Sequence, residues 1–450
     1  MIDAADTQAY RASLLHFTAD TQAYRASLLH FTADPRHNPA EATHFIEDGL
    51  LIVRNGKVLN ALNYRDVAAN ELAPLTVRDY RGRLIMPGFI DTHVHFPQIE
   101  MIASYGEQLL EWLDTYTFPT EQKYADAEYS RQMADIFIRE LLRHGTTSAM
   151  VFATVHPQSV DALFTAAADK AMRLITGKVL MDRHAPDALC DGAQQSYQDS
   201  RALIQKWHHH GRLLYAVTPR FAPTSTSEQL RLAGELLREF PDVYMQTHLS
   251  ENKQEIAWVK SLFPEHRHYL DVYHHHGLTG PRSLFAHALH LEKEEVDTLS
   301  HSRSSVAFCP SSNLFLGSGL FPLHSLKAAG IRVGLGTDVG AGTSLSLLQT
   351  LNEGYKVQQL LGEKLSAREG LYQATLGSAA ALSLDDKLGN FLPGKEADFV
   401  VLDWAYTPLQ RLRQEQATTL DEKLFALMMQ GDDRNVAKTY VNGICVHTRE

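Results

Sequence analysis

Cysteine is scarce in this sequence, and the few present do not pair. Cys190, Cys309 and Cys445 lie far apart, are odd in number and form no CxxC motif. This excludes a disulfide framework and a thiolate zinc site. No apolar run reaches the roughly 18–20 residues that span a bilayer. Lys and Arg form no dense cluster and the net charge is −11, so no surface is laid out to neutralise nucleic-acid phosphates. The opening MIDAADTQAYRASLL has no basic segment ahead of an apolar core, and it does not read as a secretory signal. These absences predict reducing, cytoplasmic surroundings and exclude nucleic acid and membrane as partners. What is present is 44% hydrophobic residues over a 450-residue chain, enough for a large buried core.

Residues 7–20 and 21–34 are the same fourteen letters, TQAYRASLLHFTAD, repeated without a change. Structural repeats diverge and need about three copies to stack. The block therefore reads as a duplicated segment, 1–34, whose first copy is expected to be poorly ordered. Beyond it, 43–61 and 76–86 are short, apolar and rich in branched residues, with Asn55-Gly56 as a hairpin turn. Residues 397–403 and 439–446 have the same texture, again with an Asn-Gly. Half-apolar strands need a partner sheet, so the two ends are expected to build one small β-sandwich module from 35–86 and 387–450.

The middle, 87–386, alternates apolar runs with helical patterns. Its runs are 85–92, 146–152, 174–181, 213–218, 243–247, 283–286, 305–308 and 332–337. Helix-like stretches such as 127–144, 227–238, 255–263 and 292–301 lie between them. Eight such units without a Gly-rich phosphate fingerprint predict an α/β chain with a (β/α)8 TIM-type barrel rather than an open doubly wound sheet.

Among 23 histidines, four His-x-His pairs occur, where chance gives about one. His208/His210, His266/His268 and His274/His276 sit in polar stretches and read as solvated helix ends before Gly. His93-Val-His95 instead follows the apolar strand LIMPGFIDT. Alternation sends both rings to one face, and at the C-terminal end of a barrel strand that face is the barrel mouth. Three more runs end the same way, in His248, His287 and Asp338. Imidazoles with one carboxylate suit Zn2+, or Fe2+ as second choice, with a position left open for water. Glu251, three residues past His248, is placed to move a proton at such a site.

PGFIDTHVH at 87–95, His248 with Glu251, His287, and Gly336-Thr-Asp338 together resemble the amidohydrolase superfamily. GKEADFVV at 394–401 is similar to that superfamily's C-terminal return strand. Strand four ends in Thr218-Pro-Arg-Phe221, without the bridging lysine of the bimetallic members, which implies a mononuclear, deaminase-type site. Phe96-Pro-Gln98, Trp112, Thr218-Pro-Arg220-Phe221, Cys309-Pro-Ser-Ser-Asn and Gly334-Leu-Gly-Thr-Asp narrow the resemblance to the branch that deaminates guanine. It runs from about residue 44 to the C-terminus.

The resemblance implies that His93, His95, His248 and Asp338 bind zinc. It implies catalytic roles for Glu251, Asp338 and His287, and a purine contact from Gln98, Trp112, Arg220 and Phe221 alongside His248, Glu251 and His287. The chemistry agrees: a planar polar base needs flat walls and directional hydrogen bonds, and an arginine fork matches the guanine O6/N7 edge. A homodimer is implied as well. Two alternatives stay open: the same site acting on a pterin, adenine or triazine, and a metal-free scaffold of this fold.

Overall fold

A computed structural model describes residues 21–105 and 108–450. Strands from both chain ends make one sheet. They are β1 (Thr21–Phe31), β2 (Thr43–Arg54), β3 (Lys57–Asn63) and β4 (Thr76–Pro87), joined from the far end by β14 (Phe399–Asp403), β15 (Val436–Val441) and β16 (Ile444–Thr448). Their order is β16-β15-β14-β4-β1-β2-β3. Both Asn-Gly signals mark hairpins. Asn55 and Gly56 take φ of 51° and 71°, and Asn442 and Gly443 take 50° and 76°, the left-handed pair that a two-residue turn between twisted strands requires.

The expectation of poor order for the first repeat copy lies outside the described residues. The second copy is β1, antiparallel to β2 and parallel to β4. It therefore belongs to the sheet rather than to a separate segment. Tyr24, Leu28, Leu29 and Phe31 are fully buried in it, and that burial holds a strand which looked like duplicated surplus.

The middle of the chain folds as expected into a barrel of parallel strands. They are β5 (Phe89–His95), β6 (Thr146–Phe152), β7 (Arg173–Gly177), the short β8 (Val179–Leu180), β9 (Leu214–Pro219), β10 (Tyr244–Leu249), β11 (Ser283–His287), β12 (Ser305–Phe308) and β13 (Arg332–Leu335). Strand order runs from β13 to β5, with β8 beside β9. The ring is joined by backbone hydrogen bonds from Asp338 N to His93 O and from His95 N to Val339 O, both 2.8 Å. The run expected over 85–92 is in fact two strands. It breaks at Gly88, where a Cβ would stand 2.1 Å from Thr147 Oγ1, so only glycine lets the chain pass from sheet to barrel.

The helix Ala127–Arg143 shows how the outer layer is built. Asp126 caps it by accepting from Tyr129 N at 2.9 Å, satisfying a donor that the first turn leaves unpaired. Ala134, Phe137, Ile138, Leu141 and Leu142 form its buried stripe, spaced three and four apart as one helical face requires. The four large side chains contribute roughly 6–12 kcal/mol of gross burial energy. Gly145, at φ 83°, ends the helix and feeds β6.

At the barrel floor, Glu396 on the approach to β14 accepts from Arg173 at 2.6 and 3.0 Å and from Arg212 at 2.7 and 3.1 Å. Arg212 also pairs with Asp398 at 2.5 Å. This cluster ties the terminal sheet to the end of the barrel opposite the site.

Candidate metal centre and pocket

The strand ends bring the sequence candidates together. His93 and His95 leave β5 on one face, His248 comes from β10, His287 ends β11, and Asp338 follows β13. His93 Nε2 and His95 Nε2 stand 3.1 and 3.3 Å from Asp338 Oδ1. His248 Nε2 lies 3.2 Å from His95 Nε2. One ligand atom from each of His93, His95, His248 and Asp338 falls within 4.8 Å of all the others. His287 and Asp338 hold φ of 70° and 51°. Such left-handed backbone in non-glycine residues is costly and concentrates at functional sites.

The donor set fits a divalent cation. His93 Nδ1 is buried without a hydrogen-bond partner among the described residues, and its Nε2 faces the Asp338 carboxylate. Burial brings the His95 pKa down to about 4, with the neighbouring His93 adding to the shift, and it drives His248 well below its ordinary value. Burial pushes Asp338 up, but the surrounding histidines overcome this and hold it well below the carboxylate range. Neutral imidazoles and an ionised carboxylate are the protonation states that metal ligands need.

Further contacts fix these ligands. His248 Nδ1 bonds the Arg220 carbonyl at 2.7 Å, which leaves Nε2 turned toward the cluster. Phe152 packs against His93, His95 and His248, with ring centroids at 5.2, 4.7 and 4.7 Å. Asp91 straps the two ligand-bearing segments together. Its Oδ1 accepts from His93 N and Thr337 N, both at 3.1 Å, and its Oδ2 accepts from the Thr337 hydroxyl at 2.5 Å. Asp91 is fully buried, and that burial raises its pKa to about 7.

Glu251 sits beside the cluster, with His287 Nε2 3.4 Å from its Oε2. Burial, reinforced by the Asp338 charge, pushes its pKa up to about 8. A carboxyl titrating there both holds and releases a proton near neutral pH. His287 Nδ1 bonds Asn313 Oδ1 at 2.9 Å, which orients the ring. Glu255 Oε2 accepts the backbone N–H of Glu251 at 2.9 Å and of Asn252 at 3.1 Å, so the turn carrying Glu251 is pinned.

A pocket opens over the cluster. Its lining includes His95, Gln98, Trp112, Arg220, Phe221, His248, Glu251, His287 and Asp338. Every sequence candidate except His93, which lies beneath, faces this one space. Arg220 also makes a buried ion pair, donating from Nη1 to Glu121 Oε2 at 2.7 Å.

The residues that sequence reasoning missed are Asp91, Glu121, Phe152, Glu255 and Asn313. Asp91 and Asn313 lay inside motifs already singled out. The other three carry no local spacing signal. The remaining histidine pairs stand apart from the cluster; His210 and His274 are exposed, as solvated helix ends should be, but part of that reading needs correction. The side chains of His208, His266 and His268 are only 7%, 7% and 5% exposed, because each packs against an acidic neighbour.

The family profile described as "Amidohydrolase family" matches residues 84–446. The chain belongs to the amidohydrolase family. Within it, guanine deaminase of Escherichia coli (strain K12) is 58% identical over 404 residues, covering 90% of this chain and 92% of that one. The solved E. coli guanine deaminase superposes with a TM-score of 0.93 at 56% identity, covering 95% of this chain and all of that one. A guanine deaminase from C. acetobutylicum, solved with bound guanine in its active site, gives a TM-score of 0.86 at 30% identity, covering 95% and 100%. The amidohydrolase resemblance and the barrel expected from the sequence are thus borne out, together with a separate sheet built from the chain ends.

Proposed function

We propose that the protein is a zinc-dependent guanine deaminase, hydrolysing guanine to xanthine and ammonia. The observation that carries this reading is one pocket joining the His93/His95/His248/Asp338 cluster and Glu251 to Arg220 and Gln98. Metal and proton-transfer groups alone suit any deamination. The arginine fork and the amide suit the oxo edge of a purine. The kinship with guanine deaminases points the same way.

His93, His95, His248 and Asp338 would hold the ion, Zn2+ by its ligand set with Fe2+ as second choice. When bound, it supplies Lewis acidity, which brings the pKa of a water toward about 7. Arg220 donates to the O6/N7 edge, Gln98 donates to and accepts from the ring, and Trp112 and Phe221 wall its faces. Asp338 and Glu251 take the proton of the attacking water as its oxygen bonds C2. His287 donates to that oxygen. Glu251 passes that first proton to the adjacent ring nitrogen; the water's second proton, left on the new C2 hydroxyl, then goes by way of Asp338 and Glu251 to the amine as the C2–N bond breaks. The water is consumed, xanthine keeps its oxygen, and ammonia leaves.

The catalytic unit is assigned to 87–386, with the terminal sheet as its support. We read the protein as a cytoplasmic homodimer. Cys190, Cys309 and Cys445 are all free thiols, which suits reducing surroundings, and the dimer follows the family resemblance. Among the described residues no helix is long and apolar enough to cross a membrane.

The test is to incubate metal-replete protein with guanine, follow xanthine and ammonia together, and repeat after chelation, with adenine, a pterin and a triazine as competitors. Absence of guanine turnover by the metal-replete protein overturns the reading.

A further inference from the structure

Arg220 and Gln98 are joined behind the pocket wall by a third side chain. Glu121, fully buried at the end of the turn Phe118–Glu121, accepts from Arg220 Nη1 at 2.7 Å through Oε2 and from Gln98 Nε2 at 3.1 Å through Oε1. On the other side, Gly340 N donates to Gln98 Oε1 at 3.2 Å. Two consequences follow from this geometry.

The first is orientation. An amide can present either end to a ligand, but a carboxylate at one end of Gln98 and a backbone N–H at the other allow one orientation only. One Nε2 hydrogen and one Oε1 lone pair remain for the pocket. Arg220 spends one of its five donors on Glu121, with its guanidinium 5.4 Å over the Phe118 ring. Among the described residues it makes no other side-chain hydrogen bond, so its remaining donors are held in a fixed plane.

The second is charge. A guanidinium that is 3% exposed and unpaired would bind an anion more strongly than a neutral base, because charge-assisted hydrogen bonds are roughly twice as strong as neutral ones. Glu121 cancels that charge while leaving the donors in place. Guanine is neutral near physiological pH. Xanthine carries a second ring carbonyl in place of the amine, is the stronger acid, and becomes an anion as pH rises past neutrality.

We propose that Glu121 is a positioning residue that sets which ligand charge the pocket accepts: by neutralising Arg220 and fixing the Gln98 amide, it favours a neutral oxo-purine over an anionic one and limits occupation of the site by the product's anion. This rests on the guanine-deaminase reading above.

The test uses zinc-loaded holoenzyme as wild type, E121Q and E121D, with guanine kcat and KM and the xanthine inhibition constant measured below and above neutral pH. In E121Q, xanthine should inhibit roughly tenfold more strongly than in wild type. That gain should grow with pH, and the guanine KM should rise more than kcat falls. E121D keeps the charge but withdraws the carboxylate by one methylene, so its guanine KM should rise while xanthine inhibition stays at the wild-type level.

A folded E121Q whose xanthine inhibition and pH dependence match wild type overturns the proposal. So does a joint loss of kcat and melting temperature in both variants with the xanthine-to-guanine preference unchanged, the mark of a merely structural residue. If E121Q does not fold, E121D decides: stronger xanthine inhibition with the carboxylate retained overturns it. Wild type inactive on guanine removes the function and this inference together, whereas active wild type with unresponsive variants removes this inference alone.

Discussion

Replacing Glu396 with glutamine should loosen the joint between terminal sheet and barrel by an amount readable from its surroundings. The side chain is 7% exposed and stands between Arg173 and Arg212, with Lys57 3.5 Å away. Burial alone would raise its pKa. The bonds from Arg173, with the charges of Arg212 and Arg173 behind them, win and bring it from an ordinary 4.5 down to about 2. At about 1.4 kcal/mol per pH unit, that depression is worth about 3 kcal/mol of stability at neutral pH. The figure agrees with the cost of about 3–5 kcal/mol for leaving one side of a buried pair without its partner.

The sign follows from the direction of the shift. The folded state holds the carboxylate ionised more tightly than the unfolded chain does, so the stabilisation is complete above about pH 4.5 and is lost as pH falls toward 2. Denaturant titrations of wild type and E396Q should differ by about 3 kcal/mol at neutral pH and by about 2 kcal/mol at about pH 3.5. Turnover should be unaffected, since the cluster lies at the opposite end of the barrel from the site. A difference that stays constant over that pH span, or falls below about 0.5 kcal/mol, the range of an ordinary surface substitution, refutes the reasoning.

E251Q should lower turnover by about 10²–10⁴-fold with metal content unchanged by elemental analysis; near-normal turnover would remove Glu251 from proton transfer. Chelation should abolish activity and lower the melting temperature, and added Zn2+ should restore both, because the clustered ligands then bind an ion only in the folded state. A melting curve insensitive to chelator contradicts a metal held by the cluster. His30 is 5% exposed and stacks on His44 at 5.0 Å; burial, then the neighbouring ring, brings its pKa from 6.5 to about 4. Its folded pKa is depressed, so wild type should lose up to about 3 kcal/mol as pH falls from about 6.5 to about 4. Denaturation midpoints of His30→Phe should lack that slope, and parallel curves count against it.

The metal ligands were legible because their signal is local. Alternation places His93 and His95 on one face within three residues, and the ends of three more apolar runs mark His248, His287 and Asp338 without any knowledge of the fold. The Asn-Gly turns were legible for the same reason: two residues determine their geometry. Gly88 was not, because the run 85–92 is apolar throughout and only the close approach of Thr147, far along the chain, shows that a second strand begins there. Strand β1 was hidden differently. Its sequence is indistinguishable from the copy before it, and what gives the second copy its structure is pairing with β2 and β4, which no property of the segment itself encodes.

Glu121 marks the limit most sharply. A carboxylate directly after Phe118-Pro-Thr, once buried, must find partners, because an unpaired charge inside the protein costs several kcal/mol. The sequence thus implies that partners exist without naming them. They lie 23 and 99 positions away, in Gln98 and Arg220. The same geometry lets Arg220 be a structural ion pair and a substrate contact at once. A guanidinium carries five donors in one plane, and a carboxylate that engages one of them leaves the others free while fixing where they point. The ion pair is therefore what makes Arg220 usable as a recognition group.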